Sequence, residues 1–163
     1  MKKKSFISIS VILVILIIDQ ILKIWVKTNM VLGEQIPLLG NWFKLHFVEN
    51  EGMAFGIVFF GGYTGKLLLT LFRILASGAI IWIIYKMIKS YVSTGLLISI
   101  SVICAGAIGN IIDCVFYGKI FSLSTYYPPP ADIFPASGGY APFMQGKVVD
   151  MLQLDLFTIG NFN

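Results

Sequence analysis

Three long apolar runs limit what this chain can fold into more than any single motif does. Phe6 to Val26, Leu67 to Met87 and Leu96 to Tyr117 each hold about the twenty residues a helix needs to cross a hydrocarbon core, at roughly 1.5 Å per residue. Backbone groups in lipid have no water to bond, so runs of this kind must be helical. Composition agrees. Hydrophobic residues make up 57% of the chain and charged residues 12%, against roughly 25% charged in soluble domains. A chain of 163 residues has room for one compact unit, so residues 1–163 read as a single membrane α-helical domain.

The lysines orient that domain. Lys2, Lys3 and Lys4 precede the first run, and Lys86 and Lys89 lie in the short link between the second and third. Positive charge stays on the cytoplasmic side, which places residues 30–65 and 118–163 on the outer side. The first run lacks the small-residue cleavage site of a secretory leader, so it reads as a retained helix. The net charge of +4 is then a matter of topology, and no nucleic-acid partner is expected. Cys104 and Cys114 form no CxxC, and His46, the only histidine, lies in another segment. Neither a metal nor a cofactor is expected.

The outer segments differ from the helices. Trp42-Phe43-Lys44-Leu45-His46-Phe47-Val48 alternates imperfectly and is rich in aromatics, which predicts strand structure at the membrane surface. Tyr126-Tyr127-Pro128-Pro129-Pro130 and Ser137-Gly138-Gly139-Tyr140 forbid regular structure and suit the headgroup zone.

Polar residues in or beside membrane runs are costly and usually functional. Asp19 and Lys23 stand near the end of the first run, and Asn110 and Asp113 near the end of the third. Asn110 and Asp113 are three apart, on one helical face, with Gly106 and Gly109 beside them to let another helix approach closely. Taken alone, these groups fit either a hydrogen-bonded patch between helices or a shared outward-facing site. Asn50-Glu51-Gly52 is a common turn pattern that offers an amide from Asn50. Asp150 closes Gly146-Lys147-Val148-Val149-Asp150 and is a candidate for chemistry. A competing reading makes the chain a non-enzymatic small transporter or assembly subunit, with Asp19, Lys23, Arg73 and Asp113 as an interhelical ion network.

The motifs in order settle on one pattern. Asp19-Gln20-x-x-Lys23, Asn50-x-Gly52-x-Ala54-Phe55-Gly56, Gly106-Ala107-x-Gly109-Asn110-x-x-Asp113 and Val148-Val149-Asp150 together resemble the lipoprotein signal peptidase (signal peptidase II) family. The resemblance implies a four-helix membrane aspartic peptidase of the bacterial inner membrane with a small extracytoplasmic β-cradle. Its members cut diacylglyceryl-modified prolipoproteins just before the lipidated cysteine, so that precursor and membrane lipids are the implied partners. By the same resemblance Asp150 is the first catalytic aspartate and Asn50 with Gly52 belongs to the cradle. Asn110 and Asp113 support the site, and Asp19 and Lys23 form the first-helix motif, its aspartate serving structure more than chemistry.

Three departures stand out. Family members usually carry Arg directly after the motif aspartate, where this chain has Cys114. Asp113 and Asp150 are 37 residues apart (150 − 113), a longer link than in many members, so residues 122–146 read as an inserted loop over the site entrance. The family's second catalytic aspartate lies in a later Phe-Asn-x-Ala-Asp motif, and the last residues here are Asn161-Phe162-Asn163. The chain as written is therefore expected to be incomplete and unable to cleave alone, because an aspartic peptidase needs two carboxylates sharing one proton.

Overall fold

A computed structural model describes residues 2–40, 42–51 and 62–155. The three apolar runs form helices, each longer than its run. These are α1 (Lys2–Asn29), α2 (Gly62–Ile88) and α3 (Thr94–Ile112), the last continuing through a π-helical turn (Asp113–Tyr117) and a final turn (Gly118–Ile120). All three are long and apolar enough to cross a membrane. The third begins where Ser93 accepts the Leu96 amide at 3.2 Å, satisfying one of the N–H groups that a helix start leaves open. Lys4 donates to the carbonyls of Ser90 and Val92 at 2.9 and 3.0 Å. That contact ties the start of α1 to the α2–α3 link, so the lysines at positions 2–4, 86 and 89 gather at one end of the bundle.

Packing follows membrane logic rather than that of a soluble core. Large apolar side chains point away from the protein: Phe6, Leu75 and Phe72 are 73%, 73% and 66% exposed. Small and polar groups meet between helices instead. Ser8 and Ser101, both buried, share a 2.5 Å hydrogen bond. α3 packs against both α1 and α2 and is the central helix. At the lysine end Ile84, Met87, Leu97 and Cys104 form a small core.

The opposite end carries a three-stranded antiparallel sheet in the order β1-β2-β3 (Gln35–Leu39, Phe43–Asn50, Val148–Leu154). Register pairs Val148 with Asn50, Asp150 with Val48 and Leu152 with Leu45, with an irregularity in β2 between Leu45 and Val48. Phe47, Leu45, Val149 and Met151 turn toward the helices and join Val26, Met30, Tyr117 and Phe121 in a second core. The strand expected around Trp42 to Val48 is thus β2, shifted by one residue at its start.

Residues 121–147 form no helix or long strand, as their Pro and Gly content requires. They are nevertheless fixed. Main-chain bonds join them to the end of α1 (Ala131 to Lys27) and to the final turn after α3 (Phe134 to Ile120, Ala141 to Gly118). The π-helical turn releases carbonyls for this purpose: Cys114 accepts from the Gly146 amide at 2.8 Å and Val115 from the Met144 amide at 3.1 Å. A Cβ at Gly146 would collide with the backbone oxygens of Asp113 and Cys114, so this docking needs glycine.

Candidate active site at the sheet end of the bundle

One lysine gathers the expected polar residues. Lys23, only 3% exposed, donates to Asp113 Oδ2 at 2.7 Å and to Asn110 Oδ1 at 2.9 Å, and lies 3.3 Å from Asp19 Oδ2. Asp19 and Lys23 are one turn apart on α1, while Asn110 and Asp113 share a face of α3, so both helices present two groups to the same point. Gln20 completes the cluster. Its amide donates to Asp19 at 3.0 Å and to Asp113 Oδ1 at 3.2 Å, and its carbonyl accepts from the Tyr117 hydroxyl at 3.2 Å. Asp113 is fully buried, and such a carboxylate persists only with this kind of pairing.

Gly109 makes the approach possible. A Cβ there would overlap the Asp19 carboxylate, whereas one at Gly106 would meet nothing within 4 Å. Of the two glycines singled out in the sequence, Gly109 alone permits the contact.

The same Asp113 reaches the sheet. Its Oδ2 accepts the Val149 amide at 3.2 Å, which fixes the edge strand β3 against α3. The next residue, Asp150, is exposed. With Asp19, Lys23, Asn110, Val149, Met151 and Leu152 it lines an open cleft of about 280 Å³. The cleft walls thus come from α1, α3 and β3, and residues 122–146 lie against the ends of α1 and α3. Asn50 closes β2 opposite Val148, two residues along β3 from Asp150. Gly52, together with Ala54, Phe55, Gly56, Phe162 and Asn163, lies outside the described residues.

Asp155 sits apart from the cleft. It is exposed and pairs with Lys44 at 2.8 Å and with the Gln153 amide at 2.7 Å. The Lys44 hydrogen bond, helped by that from Gln153, holds its carboxyl below the usual range. Arg73, named above in an ion network with Asp19, Lys23 and Asp113, donates to Cys114 Sγ at 2.9 Å.

A second buried charge cluster escaped the sequence reading. Lys27, one turn beyond Lys23 and fully buried, pairs with Glu49 of β2 and donates to Ser124 Oγ at 2.7 Å. Ser124 in turn donates to Glu49 at 2.8 Å. The Lys27 ammonium lies over the rings of Phe121 and Tyr140 at 5.4 and 5.0 Å, and Lys147 stands 3.8 Å from the other Glu49 oxygen. Burial raises the Tyr140 hydroxyl far above its ordinary pKa, so it stays neutral and accepts the Lys147 amide at 2.7 Å. The available signal was a second lysine at i+4 in an apolar helix. At the rim, partial burial pushes the Glu51 carboxyl up, but the Lys66 ammonium at 2.5 Å pulls it lower still, below the usual range. Among the described residues no group of His, Cys, Asp and Glu is arranged to hold a metal.

A sequence model of the family described as signal peptidase (SPase) II matches residues 11–163. A lipoprotein signal peptidase of Porphyromonas gingivalis is 47% identical over 148 residues, covering 90% of this chain and 62% of the relative. One from Amoebophilus asiaticus is 43% identical over 162 residues, covering 97% and 63% respectively. The chain therefore spans about three fifths of the length of these relatives. A bacterial membrane enzyme solved by the in meso method at 1.9 Å superposes with a TM-score of 0.59 at 22% identity, covering 96% of this chain and 78% of that one. That likeness shows the fold, a multi-pass membrane protein with a small sheet.

Proposed function

The chain belongs to the signal peptidase II family, and on that premise we propose that it works as a membrane aspartic endopeptidase on lipid-modified prolipoproteins. The bond cut is the one just before the diacylglyceryl cysteine. The sheet end of the bundle faces outward from the bacterial inner membrane, since the lysines collect at the opposite end. One observation carries this reading: Asp113 holds the Val149 amide, so the neighbouring Asp150 is set at the wall of a cleft that Asp19, Lys23 and Asn110 also line.

In this reading Asp150 is the first catalytic aspartate. It shares a proton with a second carboxylate, because like charges at close range cannot both ionise. The ionised partner takes a proton from water, which attacks the scissile carbonyl, and the protonated partner donates to the developing oxyanion. The pair titrates as a unit. Asp19 is a poor second carboxylate, being occupied by Lys23 and Gln20. The family resemblance gives that role to the aspartate of a Phe-Asn-x-Ala-Asp motif. Acyl chains anchored in lipid fix the depth of the cysteine and hence which bond reaches Asp150.

The test uses the gene product in membranes with one precursor in diacylated and acyl-free forms. Only the diacylated form is expected to be cut, and Asp150→Asn is expected to abolish cutting. Equal cleavage of both forms, or an active Asp150→Asn protein, would refute the proposal.

A further inference from the structure

A second cleft, about 180 Å³, opens between α2 and α3 and is lined by Phe72, Arg73, Ala76, Ser77, Ile80, Ala107 and Asn110. Its chemistry is graded along the helices. α2 runs away from the sheet and α3 runs toward it, so Arg73 and Asn110 lie at the sheet end while Ile80 and Ala107 lie deeper. Polar donors at the headgroup side and apolar walls below match an acyl ester, whose carbonyl belongs near the interface and whose chain belongs in hydrocarbon. Asn110 lines this cleft and the Asp150 cleft alike. Its carbonyl is committed to Lys23, so what it offers a ligand is its amide N–H.

The placement of Arg73 adds a second reason. Side chains on a helix lean toward its N-terminus, and α2 has its N-terminus at the sheet end, so the guanidinium is carried toward the site. There Nη1 meets Cys114 Sγ at 2.9 Å. That contact orients the guanidinium at the sheet end of the cleft.

We propose that Arg73 is a substrate-recognition residue that holds an ester carbonyl of the precursor's diacylglyceryl group at the sheet end of the α2–α3 cleft. This rests on the function proposed above. Two roles compete with it: Arg73 only joins α2 to α3 through Cys114, or it serves the esters of bilayer phospholipid.

The experiment measures binding of a diacylglyceryl lipopeptide to the gene product in nanodiscs. Asp150→Asn is the background, so cleavage chemistry cannot alter the readout. Diester and diether lipopeptides are compared, the diether lacking the carbonyls. The parent protein is expected to bind the diester about 10-fold more tightly, as suits one charge-assisted hydrogen bond. Arg73→Gln should lose that factor on the diester only, and Arg73→Lys should keep part of it. Equal weakening on both lipopeptides, or no preference in the parent and Arg73→Lys proteins, would overturn the proposal. So would a preference that follows a switch of the surrounding phospholipid from ether to ester rather than a switch of the lipopeptide. Should Arg73→Gln fail to fold, the parent and Arg73→Lys proteins still decide the matter. Binding of neither lipopeptide would overturn the functional reading as well, whereas loss of ester preference alone would leave it standing.

Discussion

Lys23 and Lys27 sit one turn apart on α1, both nearly or wholly buried and each paired with a buried carboxylate, yet their surroundings differ. The Lys23 cluster opens on the cleft that holds Asp150, and its second partner, Asp19, keeps 20% of its side-chain surface. Lys27 is closed in by Glu49, Ser124 and the rings of Phe121 and Tyr140. The same ion-pair chemistry thus appears once beside an open wall and once as a sealed strut between α1, β2 and the loop at 122–146. Buried ion pairs are often no more stabilising than well-packed apolar replacements. On the function proposed above, access to a cleft and not charge pairing distinguishes the site.

Single deletions give the largest effects and probe the difference in wetness. Removing one member of a buried pair strands the other, at about 3–5 kcal/mol. Glu49→Ala should fall at the upper end of that range, since among the described residues Lys27 then keeps one hydrogen-bond partner, Ser124, and otherwise ring faces. Asp113→Ala should fall at the lower end, since Asp19 and cleft water still reach Lys23. Thermal unfolding in detergent ranks the two, and the reverse order would break the comparison.

Paired replacement separates strut from site. Lys27→Met with Glu49→Leu removes both charges of the sealed pair and should leave precursor processing within a few-fold of the parent. Lys23→Met with Asp113→Leu also balances charge but frees the Val149 amide and so misplaces Asp150. A shift of about 1 Å at a reacting group can cost ~10²-fold, and processing rates should fall by that order. Equal losses in the two double variants would mean that the strut belongs to the site.

Much of this was legible in the sequence, for definite reasons. The three spans follow from length and hydropathy alone. Asn110 and Asp113 were placed together by helical spacing, whereas Lys23 entered through the first-helix motif of the family resemblance. β2 was visible through its aromatics, whereas β1 was not, because Gln35-Ile36-Pro37-Leu38-Leu39 carries a proline and no alternation. The Lys27–Glu49 pair was hidden because it joins residues 22 apart (49 − 27) across a turn that only the folded sheet defines. The loop at 122–146 reads as a cover for the site because its Pro and Gly content carries no information about docking. Its place is set by carbonyls that a π-helical turn exposes, and no local pattern announces that turn.

The two glycines of α3 sharpen the comparison on the helix side. Gly109→Ala would drive a methyl into the Asp19 carboxylate that Lys23 and Gln20 hold, at about 1–3 kcal/mol for overpacking. Gly106→Ala, one turn earlier, faces open space and should leave the unfolding temperature unchanged or slightly raised. If the two cost the same, α1 and α3 do not meet most closely at the cluster.

The smallest effect belongs to the carboxylate at the open end of the scale. Asp155 is held below the usual carboxylate range by Lys44 and Gln153. A folded pKa lower than the unfolded value, near 3.9 for aspartate, gives stability that is present above that value and lost as pH falls through the folded one. Surface pairs of this kind are worth little. Unfolding temperatures of the parent and Asp155→Asn proteins should therefore differ slightly at pH 6 and converge toward pH 3. Processing should be unchanged, since this carboxylate lies against Lys44 and not in the cleft. An Asp155→Asn protein that folded normally but lost processing would make Asp155 the partner of Asp150. The division between a carboxylate at an open cleft and one at an open surface would then fail.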